Sequence, residues 1–243
     1  MSGIRAVIFD LDDVLYNEKD YIYAAYRDIA DFLSPKCSLT REEIYNRLVE
    51  SLREKTGMYP RLFNDLVAEI GLGQELVPEL LRIYAVVDSH LSLYPGVEEV
   101  LERLRQRGFR LGLLSNGTVA IQKNKVRLLG VEKFFDVVAY ARENGGEGDK
   151  PNPEAYLMVL ERLGVSSAET ICIGDNPYTD FVGAKEIGMR TVRLLAGEFE
   201  HVKLDEKHEA DVNVRSLCEL LALVESQTMR AEQRAAMGEP ERG

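Results

Sequence analysis

Residues Arg5 to Phe9 (RAVIF) make a short, β-branched apolar run that stops abruptly at Asp10, Asp12 and Asp13. A run this short, with no polar alternation, reads as a strand buried on both faces, which is the condition of strands in a parallel sheet. The carboxylates then sit at its C-terminal end. From Glu98 onward strands and helices alternate. A helical stretch to Gln106 precedes a strand at Arg110 to Leu114, and a helix to Leu129 precedes a strand near Asp136 to Tyr140. A helix over Pro153 to Leu163, a strand at Thr170 to Ile173, a helix over Tyr178 to Ile187 and a strand at Arg190 to Leu195 follow. Four of these helices stop at a glycine (Gly108, Gly130, Gly164, Gly188), the residue that takes the left-handed conformation past a helix end without steric cost. The pattern predicts an α/β fold, a doubly wound parallel sheet with helices on both faces.

Residues 16–94 break the alternation and read as helix after helix. Thr40 to Glu43 (TREE) has capping-box spacing, and Gly71 and Gly73 separate two later helices. The expected organisation is an α/β core from residues 1–15 and 95–225, a helical domain inserted at 16–94, and a disordered tail at 226–243. Acidic residues outnumber basic ones, 41 to 30, for a formal charge of −11. That sign disfavours a nucleic-acid partner. No apolar run spans a bilayer, and MSGIRAVIFDLDD reaches acidic residues too early for a secretory signal. Three widely spaced cysteines without a CxxC fit a reducing compartment, so a cytoplasmic location and no membrane partner are expected. The oligomeric state is not legible in the chain.

In an open parallel sheet, ligands bind beyond the carboxyl ends of the strands. The residues there are Asp10-Leu11-Asp12-Asp13-Val14-Leu15 after the first strand and Ser115-Asn116-Gly117 after the second. Lys150-Pro151 precedes the helix at Pro153, and Gly174 to Asp180 (GDNPYTD) follows the fourth strand. Carboxylates clustered this way repel unless a hard cation neutralises them, and Mg²⁺ is the natural candidate. Ser115 offers a hydroxyl, Asn116 and Gly117 offer backbone N–H groups at a helix start, and Lys150 adds a point charge. Together these suit a phosphoryl group, with an aspartate as candidate nucleophile. Each piece alone reads as a turn, a cap or a solvated lysine; the four in this order do not.

The four segments resemble the motifs of the haloacid dehalogenase (HAD) superfamily of phosphohydrolases, and the resemblance runs over about residues 4–215. It implies a Rossmann-like core with the helical insertion as a cap of the first type. It also implies roles: Asp10 attacks phosphorus and becomes an aspartyl phosphate, while Asp12 protonates the leaving oxygen and later activates water. Ser115 and Lys150 hold the phosphoryl oxygens, with Asn116 and Gly117 at the same anion site. Mg²⁺ is bound by the Asp10 carboxylate, the Asp12 backbone carbonyl and Asp175, with Asp180 supporting the metal shell. Asp12 argues against halide displacement, because the superfamily's dehalogenases lack the second aspartate.

The expected activity is a Mg²⁺-dependent phosphatase of small phosphorylated metabolites such as sugar phosphates or nucleoside monophosphates. Val14, where many phosphatases of the family carry Thr, keeps open a mutase similar to β-phosphoglucomutase. The stretches KPNPEAY and GDNPYTDFVGAK look more like the phosphatase branches. A phospho-accepting signalling protein is a third alternative, although receiver domains need neither this length nor the insertion. In the helical domain, Tyr59 and Arg61 are candidate substrate contacts, and Phe63 reads as packing. Tyr16, Tyr21, Tyr23 and Tyr26 read mostly as packing too, with Tyr16 and Asn17 at the hinge beside the site. His90, His201 and His208 read as surface residues, and Cys172 and Cys218 as small core residues.

Overall fold

Strand β1 (Ala6–Phe9) is buried along its whole length because it lies at the middle of the sheet. The computed structural model describes residues 3–54, 59–143 and 148–225. β1 is flanked by β2 (Arg110–Ser115) and β4 (Thr170–Gly174); β3 (Val137–Tyr140) lies outside β2, and β5 (Arg190–Leu194) then β6 (Val212–Val214) lie outside β4. The order is β3-β2-β1-β4-β5-β6, and every pairing is parallel. The chain moves outward one way from β1 through β2 and the other way from β4, which opens a crevice at the carboxyl ends of β1, β2 and β4.

Side-chain alternation builds two cores. Val7 and Phe9 of β1, Leu111 and Leu113 of β2, and Ile171 and Ile173 of β4 share one face with α5 (Val97–Gln106) and a helix over residues 217–225. Ala6, Ile8, Leu114 and Cys172 point the other way, against Tyr156, Val159, Leu160 and Leu163 of α7 (Pro153–Leu163). Gly112 lets α7 come down onto the sheet, since a Cβ there would lie 2.9 Å from Val159 Cγ1. Burying each Leu, Ile or Val contributes about 1.5–3 kcal/mol, so both faces require their helical layer.

Between β1 and β2 the chain forms α1 (Glu18–Leu33), α2 (Arg41–Glu54), α3 (Leu62–Glu69) and α4 (Val77–Ala85). The Thr40–Glu43 capping box forms: Glu43 N donates to Thr40 Oγ1 at 3.2 Å, and Thr40 N donates to Glu43 Oε2 at 2.7 Å. The two passages between helices and sheet run together, with Tyr94 N donating to Leu15 O at 2.8 Å and Tyr16 bridged to Leu93.

Three details differ from the sequence expectation. β6 is an added edge strand whose three residues give too short a pattern to read. The helix expected from Tyr178 begins later, as α8 (Val182–Glu186), because Asn176 to Asp180 is committed to a tight turn. Cys218 is exposed rather than in the core, since the buried stripe of its helix passes through Leu217, Leu220, Leu221 and Val224. The tail expected at 226–243 lies outside the described residues. No helix among the described residues is long and apolar enough to cross a membrane.

Candidate active site

Asp10 is placed by the sheet itself. Its N–H donates to Ile173 O at 2.9 Å, extending the β1–β4 ladder one step past Phe9 and fixing the carboxylate at the mouth of the crevice. Lys150 reaches the same point from the loop before α7, across a cis Lys150–Pro151 peptide. Its ammonium lies 2.5 Å from Asp10 Oδ1 and 2.7 Å from Asp180 Oδ1, with only 3% of the side chain exposed. Gly183 of α8 allows this approach, because a Cβ there would strike Pro151 O.

Asp180 is folded back against the end of β4. Asp180 N donates to Asn176 O, and Asn176 N donates to Asp180 Oδ2, both at 3.0 Å. The Asp180 carboxylate occupies the space a Cβ on Gly174 would fill. Asp175 is also buried, and its carbonyl accepts from Arg193 Nε at 3.2 Å. Asp10, Asp175 and Asp180 each offer an oxygen within 4.8 Å of the others. Burial pushes the Asp10 carboxyl up to about 7 against the pull of Lys150, and burial with Asp180 and Asp10 raises Asp175 well above the ordinary carboxylate range. Burial alone would lower Lys150, but Asp10 and Asp180 outweigh it and hold the ammonium above its usual value. One lysine beside three clustered carboxylates, two of them buried, leaves an excess of negative charge when all three are ionised, and an all-oxygen donor set of this kind fits a hard divalent cation.

The anion side is built from β2 and the turn after it. Ser115 is buried, and its hydroxyl makes a single long contact of 3.4 Å, to Asn116 O, among the described residues. Gly117, at φ 113°, turns the chain into α6 (Val119–Leu129) in a conformation that disfavours any side chain. Besides the backbone N–H expected to serve the anion site, Asn116 brings a side chain that binds the Lys150 backbone at both ends, 2.9 Å from the Lys150 nitrogen and 2.9 Å from the Lys150 carbonyl oxygen.

The Asp12 carboxylate stands apart from the three-carboxylate group. Its Oδ1 accepts from Tyr16 OH and from Lys125 Nζ, both at 2.7 Å, and its Oδ2 accepts from Gln122 Nε2 at 3.2 Å. Lys125 Nζ also lies 2.7 Å from Glu18 Oε1, at the first residue of α1. Burial and the nearby Asp12 push Glu18 up to about 7 despite Lys125. Lys125, Gln122 and Glu18 are absent from the sequence reading. The signal for two of them was a Gln and a Lys three apart on the same helix face as Ile121 and Val126. Asp13, at φ 53°, turns away and accepts the N–H groups of Glu18 (3.0 Å) and Glu198 (3.3 Å), joining the start of α1 to the loop after β5.

Beside this centre, a pocket runs under the inserted helices. Tyr26, Tyr59, Phe63 and Tyr84 line it from the helical side, and Thr118 and Ile121 from the core, with Glu18 and Glu198 also in its lining. Tyr59 OH donates to Asp65 Oδ2 at 2.8 Å, so the tyrosine ring is held at the pocket wall. Arg61 is not among the lining residues; it is exposed and paired with Asp65 at 3.7 Å. Among the described residues, no lysine or arginine lines the pocket.

A family model described as haloacid dehalogenase-like hydrolase matches residues 7–194. The chain is 32% identical over 228 residues to a glyceraldehyde 3-phosphate phosphatase of Methanocaldococcus jannaschii, covering 92% of this chain and 98% of that protein. It is 34% identical over 218 residues to the glyceraldehyde 3-phosphate phosphatase of Methanopyrus kandleri, covering 86% and 91%. A solved structure of a HAD phosphatase from Thermococcus onnurineus is similar with a TM-score of 0.64 at 29% identity, over 91% of this chain and 98% of that one. The match spans all four motif segments, from β1 to β5, and the chain belongs to the haloacid dehalogenase-like hydrolase family.

Proposed function

We propose that this protein is a Mg²⁺-dependent phosphatase of small phosphomonoesters that works through an aspartyl phosphate on Asp10. The observation that carries the reading is Lys150 Nζ, 2.5 Å from Asp10 and 2.7 Å from Asp180, inside a group of three carboxylates at the crevice. Asp10, Asp175 and the Asp12 carbonyl would hold the metal, with Asp180 anchoring Lys150 and supporting the metal shell. Mg²⁺ supplies neutralising charge to the carboxylates and to the phosphoryl oxygens.

The residues then divide the work. Ser115, Lys150 and the N–H groups at Asn116 and Gly117 hold the phosphoryl oxygens. Asp10 attacks phosphorus while the bond to the ester oxygen breaks, and Asp12 gives that oxygen a proton, so the alcohol leaves neutral. Asp12 next takes a proton from water as the water attacks the acyl phosphate. The phosphorus–Asp10 bond breaks, inorganic phosphate leaves, and the Asp10 carboxylate is restored. Residues 16–94 serve as the cap over the core of 1–15 and 95–225, and they exclude bulk water during transfer.

The pocket supports hydrolysis over mutase chemistry. A phosphosugar mutase must hold a second phosphate, whereas Glu18 and Glu198 line an aromatic pocket with no cation among its described lining residues. That lining suits a neutral leaving group, consistent with relatives named for glyceraldehyde 3-phosphate. Phosphate release from sugar phosphates, nucleoside monophosphates and glycerol phosphate, with Mg²⁺ and with a chelator, tests the reading. Mg²⁺-dependent release supports it; dependence on a sugar bisphosphate with little net release would give the mutase.

A further inference from the structure

Lys125 lies deeper than any catalytic need for a surface charge would place it, with 1% of its side chain exposed. Its ammonium sits 2.7 Å from Asp12 Oδ1 and 2.7 Å from Glu18 Oε1, and 5.3 Å from the centre of the Tyr21 ring. These groups come from three separate parts of the chain: the turn after β1, the start of α1 and the middle of α6. A buried ammonium with two carboxylates would satisfy itself as a structural bridge wherever those carboxylates stood. Here one of them is Asp12, and the grip on it is uneven. Two strong donors, Lys125 Nζ and Tyr16 OH, hold Oδ1, while among the described residues Oδ2 receives only the 3.2 Å contact from Gln122.

We propose that Lys125 is a positioning residue for Asp12. By pinning Oδ1 against Glu18 at the root of the cap, it turns Oδ2 toward the ester oxygen as the atom that gives and takes the proton. The placement of the acid/base is thereby tied to the placement of α1, so the cap hinge and the proton-transfer group move as one unit. This inference rests on the phosphatase reading and on Asp12 as its acid/base.

A positioning role separates from a structural one through the leaving group. Departure of an alkoxide needs the proton from Asp12; departure of p-nitrophenolate scarcely does. The test compares glycerol phosphate with p-nitrophenyl phosphate on the full-length protein in Mg²⁺, for wild type, Lys125→Met, Lys125→Arg and Glu18→Gln. Lys125→Met is expected to lower kcat/KM for glycerol phosphate by about 30-fold or more, within the range general acid catalysis supplies. Its kcat/KM for p-nitrophenyl phosphate should fall by less than about 3-fold, since that parameter stops at phosphoenzyme formation. Slow dephosphorylation should then produce a burst of p-nitrophenol, with phosphorylated protein accumulating in acid-quenched mass spectra.

Lys125→Arg should recover part of the loss. Glu18→Gln should show the same split at smaller size, and it decides the matter if Lys125→Met does not fold. Equal losses on the two esters with no burst, or no loss at all, would overturn the proposal while leaving the phosphatase reading intact. A wild type that releases no phosphate from either ester overturns that reading and this inference with it.

Discussion

Asn116 holds Lys150 by its main chain: the lysine N–H donates to Asn116 Oδ1 at 2.9 Å, and Asn116 Nδ2 donates to the lysine carbonyl at 2.9 Å. The turn after β2 therefore sets the position of the cation that faces Asp10, although 34 residues separate the two in sequence. Asn116→Ala removes both bonds, each worth about 0.5–1.5 kcal/mol net. A displaced Lys150 costs more in rate than in stability, because a 1 Å error in a reacting group can cost about 100-fold. The expected outcome is a drop of that order in kcat/KM with a melting temperature lowered by only a few degrees; steady-state kinetics beside thermal melts checks it.

Stability should depend on pH in a direction set by the buried carboxyls. Asp10 and Glu18 are each raised to about 7, Asp175 is raised as well, and the same groups in the unfolded chain titrate near 4. The folded state thus holds these protons more tightly than the unfolded state. Their stabilising contribution is complete below about pH 4 and is lost as pH rises to about 7 and beyond. Lys125 and Lys150, both raised, keep their contribution throughout this window. Metal-free protein should therefore melt at a lower temperature at pH 8 than at pH 5, and Mg²⁺ should raise the melting temperature more at pH 8. Calorimetry with and without chelator reads both effects.

Discrimination among substrates should follow the charge of the leaving group. Glu198 lines an aromatic pocket that holds no lysine or arginine among its described residues, an arrangement that disfavours a second anion. Esters of neutral alcohols should exceed matched esters bearing a carboxylate or second phosphate by about tenfold or more in kcat/KM, the factor that 1.4 kcal/mol supplies. Paired kinetics on glycerol phosphate and phosphoglycolate make the comparison, and a preference for phosphoglycolate would contradict it.

The sequence carries the sheet and its strand-end residues clearly for a physical reason. Asp10, Asp175 and Asp180 follow β1 and β4, and Lys150 lies in the loop that leads from β3 into α7, so local pattern and topology point to one crevice. Lys125 is a different case. Its partner Asp12 is 113 residues away, and only the fold brings the two together. The polar pair Gln122 and Lys125 on an otherwise apolar helix face was the available sign of a buried network. Cys218 shows the opposite failure, since an error of one position on a helix carries a side chain from core to solvent. Arg61 and Tyr59 are neighbours in sequence, yet the helix start at Leu62 sends one to solvent and the other to the pocket wall.

Phosphorylation of Asp10 itself is the most direct test. Protein mixed with p-nitrophenyl phosphate and Mg²⁺, quenched in acid and digested, should carry a phosphoryl group on the peptide containing Asp10. The Asp10→Asn variant should show neither that adduct nor turnover, with its fold retained by circular dichroism. Mg²⁺-dependent phosphate release by Asp10→Asn, or a phosphoryl group trapped on another residue, would contradict the account.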